Sequence, residues 1–272
     1  MTTCNYVHLV YSKFISIKGE DRKEFLQDMI TNDVNKCIED NPIYSCFLSP
    51  QGKFLADFFL INLGDSYLIE INEVYIENFI AKLNIYKLRS KIKISIEENY
   101  TSFVILNIDL KLNKEINYIK FTDPRCSNLG EKIIIKSNLK NNFVANNNLI
   151  KVDNKSYREL MIKNLVPDTT KDLKINKSLL LENNFDAIHA IDWDKGCYVG
   201  QEITARMKYR ALLKKSIRAV AIISGSMMPG NKIYYNNNRI GEIISCVNNL
   251  AIAMLKIEDA KNAFSNEKIL KT

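Results

Sequence analysis

The chain has 272 residues, 46% of them hydrophobic and 25% charged, enough apolar material for a sizeable core divided over two or three packed domains. No stretch approaches the roughly 20 uncharged apolar residues of a membrane-spanning helix, and residues 1–14 carry neither a basic n-region nor an apolar h-region, so a soluble protein without an export signal is expected. The formal net charge of +7 comes from lysines spread evenly along the chain. That distribution predicts a modest attraction for anions and no direct nucleic-acid binding.

Residues 6–17 are rich in β-branched and aromatic side chains and predict a strand or hairpin ending at Gly19. A helix follows, which Asp21 can cap and which sets Phe25, Leu26, Met29 and Ile30 on one face. Residues 44–48 and 53–61 read as strands joined by the turn Ser49-Pro50-Gln51-Gly52. Beyond a second turn, residues 66–71 read as a strand, 73–86 as a helix presenting Val74, Ile80 and Leu83, and 92–96 as a strand. Strands and helices that alternate with hairpins rather than βαβ crossovers indicate an α+β fold. Residues 100–150 contain short strands with Asn-rich connections and the turn Asp123-Pro124-Arg125. A helix is expected over 156–164, stopped near Pro167, and another over 201–210. Four short strands between residues 216 and 257, punctuated by Gly225, Pro229-Gly230 and Asn236-Asn237-Asn238, predict a small barrel or sandwich. No glycine-rich phosphate loop occurs, so a dinucleotide or P-loop site is unsupported.

Six cysteines lie far apart with no C-x-x-C pair, a pattern that suits free thiols in a reducing cytoplasm. With only His8 and His189 as imidazoles, no metal site is expected. Glycine is scarce, nine in the chain, so the frame that Gly196 and Gly200 make around Cys197 is informative. Lys195 stands two residues before this cysteine and a helix is expected just after Gly200. A cation and a helix N-terminus both favour a thiolate, which makes Cys197 the candidate reactive group. Gln201 and Glu202 supply polar groups at the helix start, and Arg206 can pair with Glu202 at i,i+4. The other five cysteines read as small core residues. Sequence proximity alone does not make a dyad of His189 and Cys197, and Trp193 and Tyr198 read as core aromatics before they read as a stacking site.

Lys195-Gly196-Cys197-Tyr198-Val199-Gly200-Gln201-Glu202, continued by Ala205-Arg206, resembles the K-G-C-[FY]-x-G-Q-E motif of the YgfZ-type folate-binding proteins, relatives of the aminomethyltransferase (T-protein) of the glycine cleavage system. The likeness extends over Thr31-Asn32-Asp33-Val34, Leu48-Ser49-Pro50-Gln51-Gly52-Lys53, Tyr86-Lys87-Leu88-Arg89-Ser90-Lys91, Asp123-Pro124-Arg125 and Gly241-Glu242-Ile243. It departs before Glu182, where the family usually has proline, and at Ala190, where it usually has glycine. The resemblance implies a T-protein-like ring of two intertwined α+β subdomains over residues 1–212 and a small C-terminal β-barrel over 213–272. It further implies a central channel for tetrahydrofolate or a one-carbon derivative, lined by Tyr44, Asn72 and Tyr157. The implied role is in maturation or repair of iron-sulfur enzymes, including those that modify tRNA, with folate, client enzymes and cluster assembly proteins as partners and a cytoplasmic location.

The alternative is a folate-dependent aminomethyltransferase of the T-protein type. T-proteins carry G-G-x-x-D-D in the first hairpin, whereas this chain reads Gly52-Lys53-Phe54-Leu55-Ala56-Asp57. Ala56 can neither accept a proton nor stabilise charge, which speaks against that reaction. A plain RNA-binding module would need clustered basic and aromatic residues, and the one candidate patch, Lys208 to Arg218, reads as a solvated helix end.

Overall fold

The computed structural model describes residues 4–106, 112, 116–210 and 212–265. In chain order these form β1 (Cys4–His8), β2 (Ser12–Gly19), α1 (Arg22–Met29), β3 (Ile43–Leu48), β4 (Phe54–Asn62), β5 (Ser66–Asn72), α2 (Glu73–Lys87) and β6 (Ile92–Ile96). Next come β7 (Tyr100–Ile105), β8 (Tyr118–Thr122), β9 (Glu131–Lys136), α3 (Lys140–Asn146), β10 (Leu149–Lys151), α4 (Asn154–Lys163), α5 (Thr169–Asp172) and α6 (Gln201–Tyr209). The C-terminal part contains β11 (Lys215–Ala221), β12 (Lys232–Tyr235), β13 (Asn238–Val247), β14 (Leu250–Lys256) and α7 (Ile257–Ser265).

The strands make three sheets, ordered β3-β4-β5-β2-β6, β10-β1-β7-β9-β8 and β11-β14-β13-β12. All pairings are antiparallel except that of β1 with β10. This is the expected α+β architecture, and its first two sheets interlock for a reason that lies near the N-terminus. Residues 6–17 do not form one strand or a hairpin: β1 enters the second sheet beside β7, the chain breaks at Leu9 to Tyr11, and β2 enters the first sheet between β5 and β6. The hairpin expected across Ser49 to Lys53 is present, closed by Ser49 N–H donating to the Lys53 carbonyl at 2.8 Å and Gly52 N–H to the Ser49 carbonyl at 2.8 Å. All of β3 is buried, so it reads as a continuous apolar run rather than an alternating one.

Three local expectations change. Asp21 precedes α1 but does not cap it, because its carboxylate accepts the Lys91 N–H at 2.7 Å instead. In α2 the buried stripe is Tyr75, Phe79 and Leu83, spaced four apart, while Val74 is exposed. The expected C-terminal barrel is an open sheet: β11 and β12 stand at its two edges and do not pair. Four strands are too few to close around side chains, and helices cover the faces instead. Ala260 and Ala263 of α7 pack on one cluster with Ile243 and Leu255, and Ile162 of α4 packs with Ile217 and Ile252. Residues 266–272 of the expected C-terminal unit lie outside the described residues.

Candidate functional site

The cross-strand register places the main site. Tyr44 of β3 faces Phe59 of β4, and Phe59 faces Glu70 of β5, so these three share one row across the first sheet. Asp57, two residues before Phe59, points to the same side. Opposite this row stand Arg125 from the turn after β8, Lys132 of β9, Tyr157 and Arg158 of α4, and Thr169 of α5. Between them lies a cavity of about 250 Å³ that Asp57, Glu70, Asn72, Arg125, Tyr157 and Arg158 help to line. Of the three expected folate residues, Asn72 and Tyr157 therefore line the cavity, and Tyr44 stands just behind its wall.

Their side chains are already engaged. Tyr44 hydroxyl donates to Asp57 Oδ2 at 2.8 Å, and Thr169 hydroxyl donates to Asp57 Oδ1 at 2.6 Å. Burial pushes the Asp57 carboxyl above the usual carboxylate range, opposed by those two hydrogen bonds and by the Arg125 charge. Asn72 caps α2 by accepting the Val74 N–H at 3.1 Å. Tyr157 hydroxyl accepts from Arg125 Nη2 at 2.9 Å, and Arg125 holds Asp123 in a bidentate pair at 3.0 and 2.7 Å. The guanidinium lies 4.9 Å from the Phe59 ring centre and the Lys132 ammonium lies 4.0 Å from it, so one aromatic ring carries two cations.

Glu70 and Lys132 form a buried ion pair at 3.0 Å. Glu70 Oε1 accepts from Ser12, Ser102 and Lys132 at 2.9, 2.6 and 3.1 Å. Its Oε2 touches the ammonium as an ionic contact but accepts no directed hydrogen bond. Arg158 Nη2 donates to both oxygens of Asp172 at 2.8 and 2.7 Å and to Ser245 of β13 at 2.6 Å, while its Nη1 is buried without a partner. An acceptor and a donor thus stand unfilled among the cavity-lining side chains, each costing free energy until something pairs with it.

Sequence reasoning missed Asp57, Glu70, Lys132 and Arg158 as site residues. A signal existed: Glu70 interrupts the apolar run Tyr67-Leu68-Ile69, and Lys132 opens Ile133-Ile134-Ile135. A charge inside a strand buried on both faces needs a partner.

The cysteine motif lies elsewhere on the molecule and is not part of the cavity wall. Cys197 is the one exposed cysteine; Cys4, Cys37 and Cys46 are buried and Cys126 and Cys246 are half-buried. Lys195 does not serve the thiol. Its ammonium turns inward and donates to the carbonyls of Gln27, Ile30 and Asn32 at 2.7, 2.7 and 3.0 Å, collecting the free carbonyls at the end of α1. Burial lowers its pKa to about 8, against the pull of Asp33, Asp192 and Asp28. Tyr198 is buried with the Lys195 ammonium 5.0 Å from its ring.

Gly200 is held by backbone geometry: its φ is +83°, and a Cβ there would sit 2.4 Å from the Ser49 carbonyl. Gly196 meets nothing within 4 Å, leaving the backbone beside Cys197 open. Gln201 opens α6 half-buried, and exposed Glu202 pairs with Arg206 at i,i+4 as expected. Trp193 donates to Asp186 at 2.7 Å and meets the Tyr209 ring edge-on at 6.0 Å.

In comparisons with known proteins, no family model matches the chain. Its fold is similar to that of the glycine cleavage system aminomethyltransferase T from Bartonella henselae, with a TM-score of 0.77 over 94% of this chain and 79% of that one at 12% identity. The fold is that of aminomethyltransferase T. In sequence, relatives called iron-sulfur cluster assembly factor IBA57 homolog, mitochondrial, match in Neurospora crassa (29% identical, 77% of this chain and 52% of the relative) and Mycosarcoma maydis (28%, 81% and 58%). A third is from Dictyostelium discoideum, 27% identical over 79% of this chain and 62% of the relative. The chain thus spans between half and two thirds of the length of these relatives. Their names support a T-protein-like group of iron-sulfur assembly factors. They also overturn the cytoplasmic expectation, because all three are mitochondrial proteins; free thiols suit a reducing compartment in general and do not single out the cytoplasm.

Proposed function

We propose that this chain is a tetrahydrofolate-binding accessory factor for the maturation or repair of iron-sulfur enzymes, acting in the mitochondrion with Cys197 as its reactive thiol. The observation that carries the reading is the IBA57 likeness, which spans 77% to 81% of the chain in the first two relatives. Tetrahydrofolate or a one-carbon derivative fits the cavity by chemistry. A pterin ring presents several N–H donors, and the cavity offers the carboxylates of Asp57 and Glu70, with one Glu70 oxygen still open to a donor. The acidic end of folate needs cations, which Arg158 and Lys171 supply in the same wall. When bound, such a group would supply a carrier for one-carbon units.

Within this reading Asp57 and Glu70 accept ring donors, Tyr44 and Thr169 hold Asp57 in place, and Asn72 and Tyr157 shape the wall. Lys195, Tyr198, Gly200 and Gln201 seat the Cys197 segment, while Gly196, Glu202 and Arg206 leave it reachable by a client or a cluster assembly protein. Calorimetric titration with tetrahydrofolate tests the first half: binding should be measurable, Asp57→Asn should weaken it about tenfold or more, and Cys197→Ala should leave it unchanged. Failure of the unmodified protein to bind would sink the folate reading. Complementation of cells lacking an IBA57-type factor tests the second half, and full rescue by Cys197→Ala would remove the thiol from the mechanism. Activity of a folate-dependent, cluster-containing tRNA-modifying enzyme in those cells is the finer readout.

One observation favours a second reading. The cavity keeps a carboxyl at Asp57 despite Ala56, which lies on the opposite side of β4, so acid-base chemistry of the aminomethyltransferase kind has a candidate group. Ala56 stands where the T-protein hairpin has its first aspartate, and no aminomethyl transfer from a lipoylated carrier is expected. Turnover by the purified protein would establish the second reading instead.

A further inference from the structure

Among the described residues the C-terminal sheet lines no part of the cavity, yet one of its side chains reaches the cavity's arginine. Strand β14 alternates cleanly: Ala251, Ala253 and Leu255 pack on the α7 side of the sheet, and Ile252 and Met254 on the α4 side. Its partner β13 does not. Ile243 pairs with Ala253 and Ser245 with Ile252, so Ile244 is an extra residue, a β-bulge. Ile243 and Cys246 belong to the α7 side, whereas Ile244 and Val247 belong to the α4 side. Strict alternation from Ile243 would turn Ser245 toward α7. The bulge turns it toward α4 and α5 instead, where it is buried against Arg158 and Asp172.

The hydrogen bonds there are unusual in one respect. Arg158 donates to Asp172 through Nη2 alone, to Oδ1 at 2.8 Å and to Oδ2 at 2.7 Å, whereas Arg125 grips Asp123 through both Nε and Nη2. The Ser245 hydroxyl accepts from the same Nη2 at 2.6 Å and donates to Asp172 Oδ1. Asp172 Oδ2 also accepts the Asp168 N–H at 2.7 Å. Held at both oxygens, the carboxylate does not swing across to Nη1, and Nη1 stays buried without a partner. Burying an ion pair is costly, and an apolar side chain at position 245 would suit the surrounding Ile162, Ile217 and Ile252 better. A hydroxyl that preserves an unfilled donor on the cavity wall is explained when the ligand brings the acceptor.

We propose that Ser245 is a positioning residue of the cavity: the bulge in β13 aims it at Arg158 and Asp172, so that Arg158 Nη1 is kept for an anionic oxygen of the ligand. The proposal rests on the reading above that Arg158 meets the acidic end of a bound folate, and it makes the C-terminal sheet part of the binding site. A ligand that fills Nη1 then tightens the contact between cavity and sheet. A ligand without an acidic end does not.

Calorimetry on the full chain compares tetrahydrofolate with tetrahydrobiopterin, which has the reduced pterin ring but no carboxylate. In Ser245→Ala the Asp172 carboxylate is released to take Nη1 for itself. Tetrahydrofolate should then bind about tenfold more weakly, the worth of one charge-assisted hydrogen bond, while tetrahydrobiopterin binds as before. A merely structural role for Ser245 would lower affinity for both ligands alike or for neither, and either result would overturn the proposal. Hydrogen exchange on the unmodified protein needs no variant: tetrahydrofolate should slow exchange at Ile244 to Val247 of β13, and tetrahydrobiopterin should not. Protection by tetrahydrofolate that stops at the cavity residues would overturn the proposal and leave the folate reading intact, whereas no binding of tetrahydrofolate to the unmodified protein would overturn both.

Discussion

Lys195→Met removes the ammonium that gathers three backbone carbonyls at the end of α1. The methionine keeps the apolar stem and leaves those carbonyls without their donor. Each charge-assisted bond is worth more than a neutral one, but the ammonium also loses hydration on burial, and the net loss expected at pH 7 is about 2 to 4 kcal/mol. The pH dependence identifies the cause. The folded pKa of about 8 lies below the ordinary 10.5, so between these values the unfolded chain binds a proton that the folded one has released. Stability conferred by this residue therefore rises with pH, by about 1 kcal/mol from pH 7 to pH 9. Cys37, pushed by burial from 9.0 up to about 12, acts in the opposite direction above pH 9, since its thiol stays protonated when folded. It is present in both proteins and cancels in their difference. Urea unfolding of the two proteins at pH 7 and pH 9 measures that difference. A gap below about 0.5 kcal/mol at pH 7, or one that stays constant or shrinks toward pH 9, would refute the assignment of Lys195 as a buried clamp.

Three further outcomes are expected. Gly200→Ala should cost about 3 kcal/mol or more in chemical denaturation, since its positive φ and the Ser49 carbonyl 2.4 Å from a Cβ leave no relaxed geometry, whereas Gly196→Ala should stay within about 0.5 kcal/mol. Under native conditions iodoacetamide should label Cys197 first and spare Cys37 and Cys46 until the protein unfolds, because only Cys197 is exposed; peptide mass mapping reads the order. Asp172→Asn should lower stability by about 3 to 5 kcal/mol by leaving the buried Arg158 charge without its carboxylate, and calorimetric melting with ligand present should show whether cavity binding falls with it.

The fold was legible in the sequence wherever one local rule sufficed. The β3–β4 hairpin followed from Ser49-Pro50-Gln51-Gly52, and the helices expected over 73–86 and 156–164 are present as α2 and α4, which begin at Asn72 and Asp153, each accepting an N–H two residues on. Legibility failed where long-range partners decide. Asp21 has the right residue type for a cap but spends its carboxylate on Lys91, 70 positions away. Lys195 stands two residues from Cys197, and proximity in sequence suggested a thiolate partner; its ammonium instead answers carbonyls more than 160 positions away. The barrel failed because strand spacing shows how many strands exist and not whether the outer two meet. The cavity charges were hidden for a related reason: Glu70 and Lys132 make sense only as a pair, 62 positions apart.

The separation of thiol and cavity constrains how one could serve the other. The two are joined by a stiff element, the β3–β4 hairpin: at its sheet end it carries Asp57 into the cavity wall with Tyr44 behind it, and at its turn Gly52 and Ser49 pack against Gly200 and Ile203 of the cysteine segment. On the other flank of that segment, the Thr31 hydroxyl donates to the Ala190 carbonyl at 2.6 Å and Asn32 to the His189 carbonyl at 2.8 Å. The segment is therefore clamped before and after Cys197 while the thiol stays exposed. Such an arrangement suits a thiol presented to another protein better than one that attacks the cavity's own ligand, since a nucleophile must lie within reach of the atom it attacks. Coupling through the hairpin has a definite signature: folate should slow hydrogen exchange at Gly52 and Gly200 as well as at Asp57, and protection confined to the cavity residues would mean that the two sites work independently.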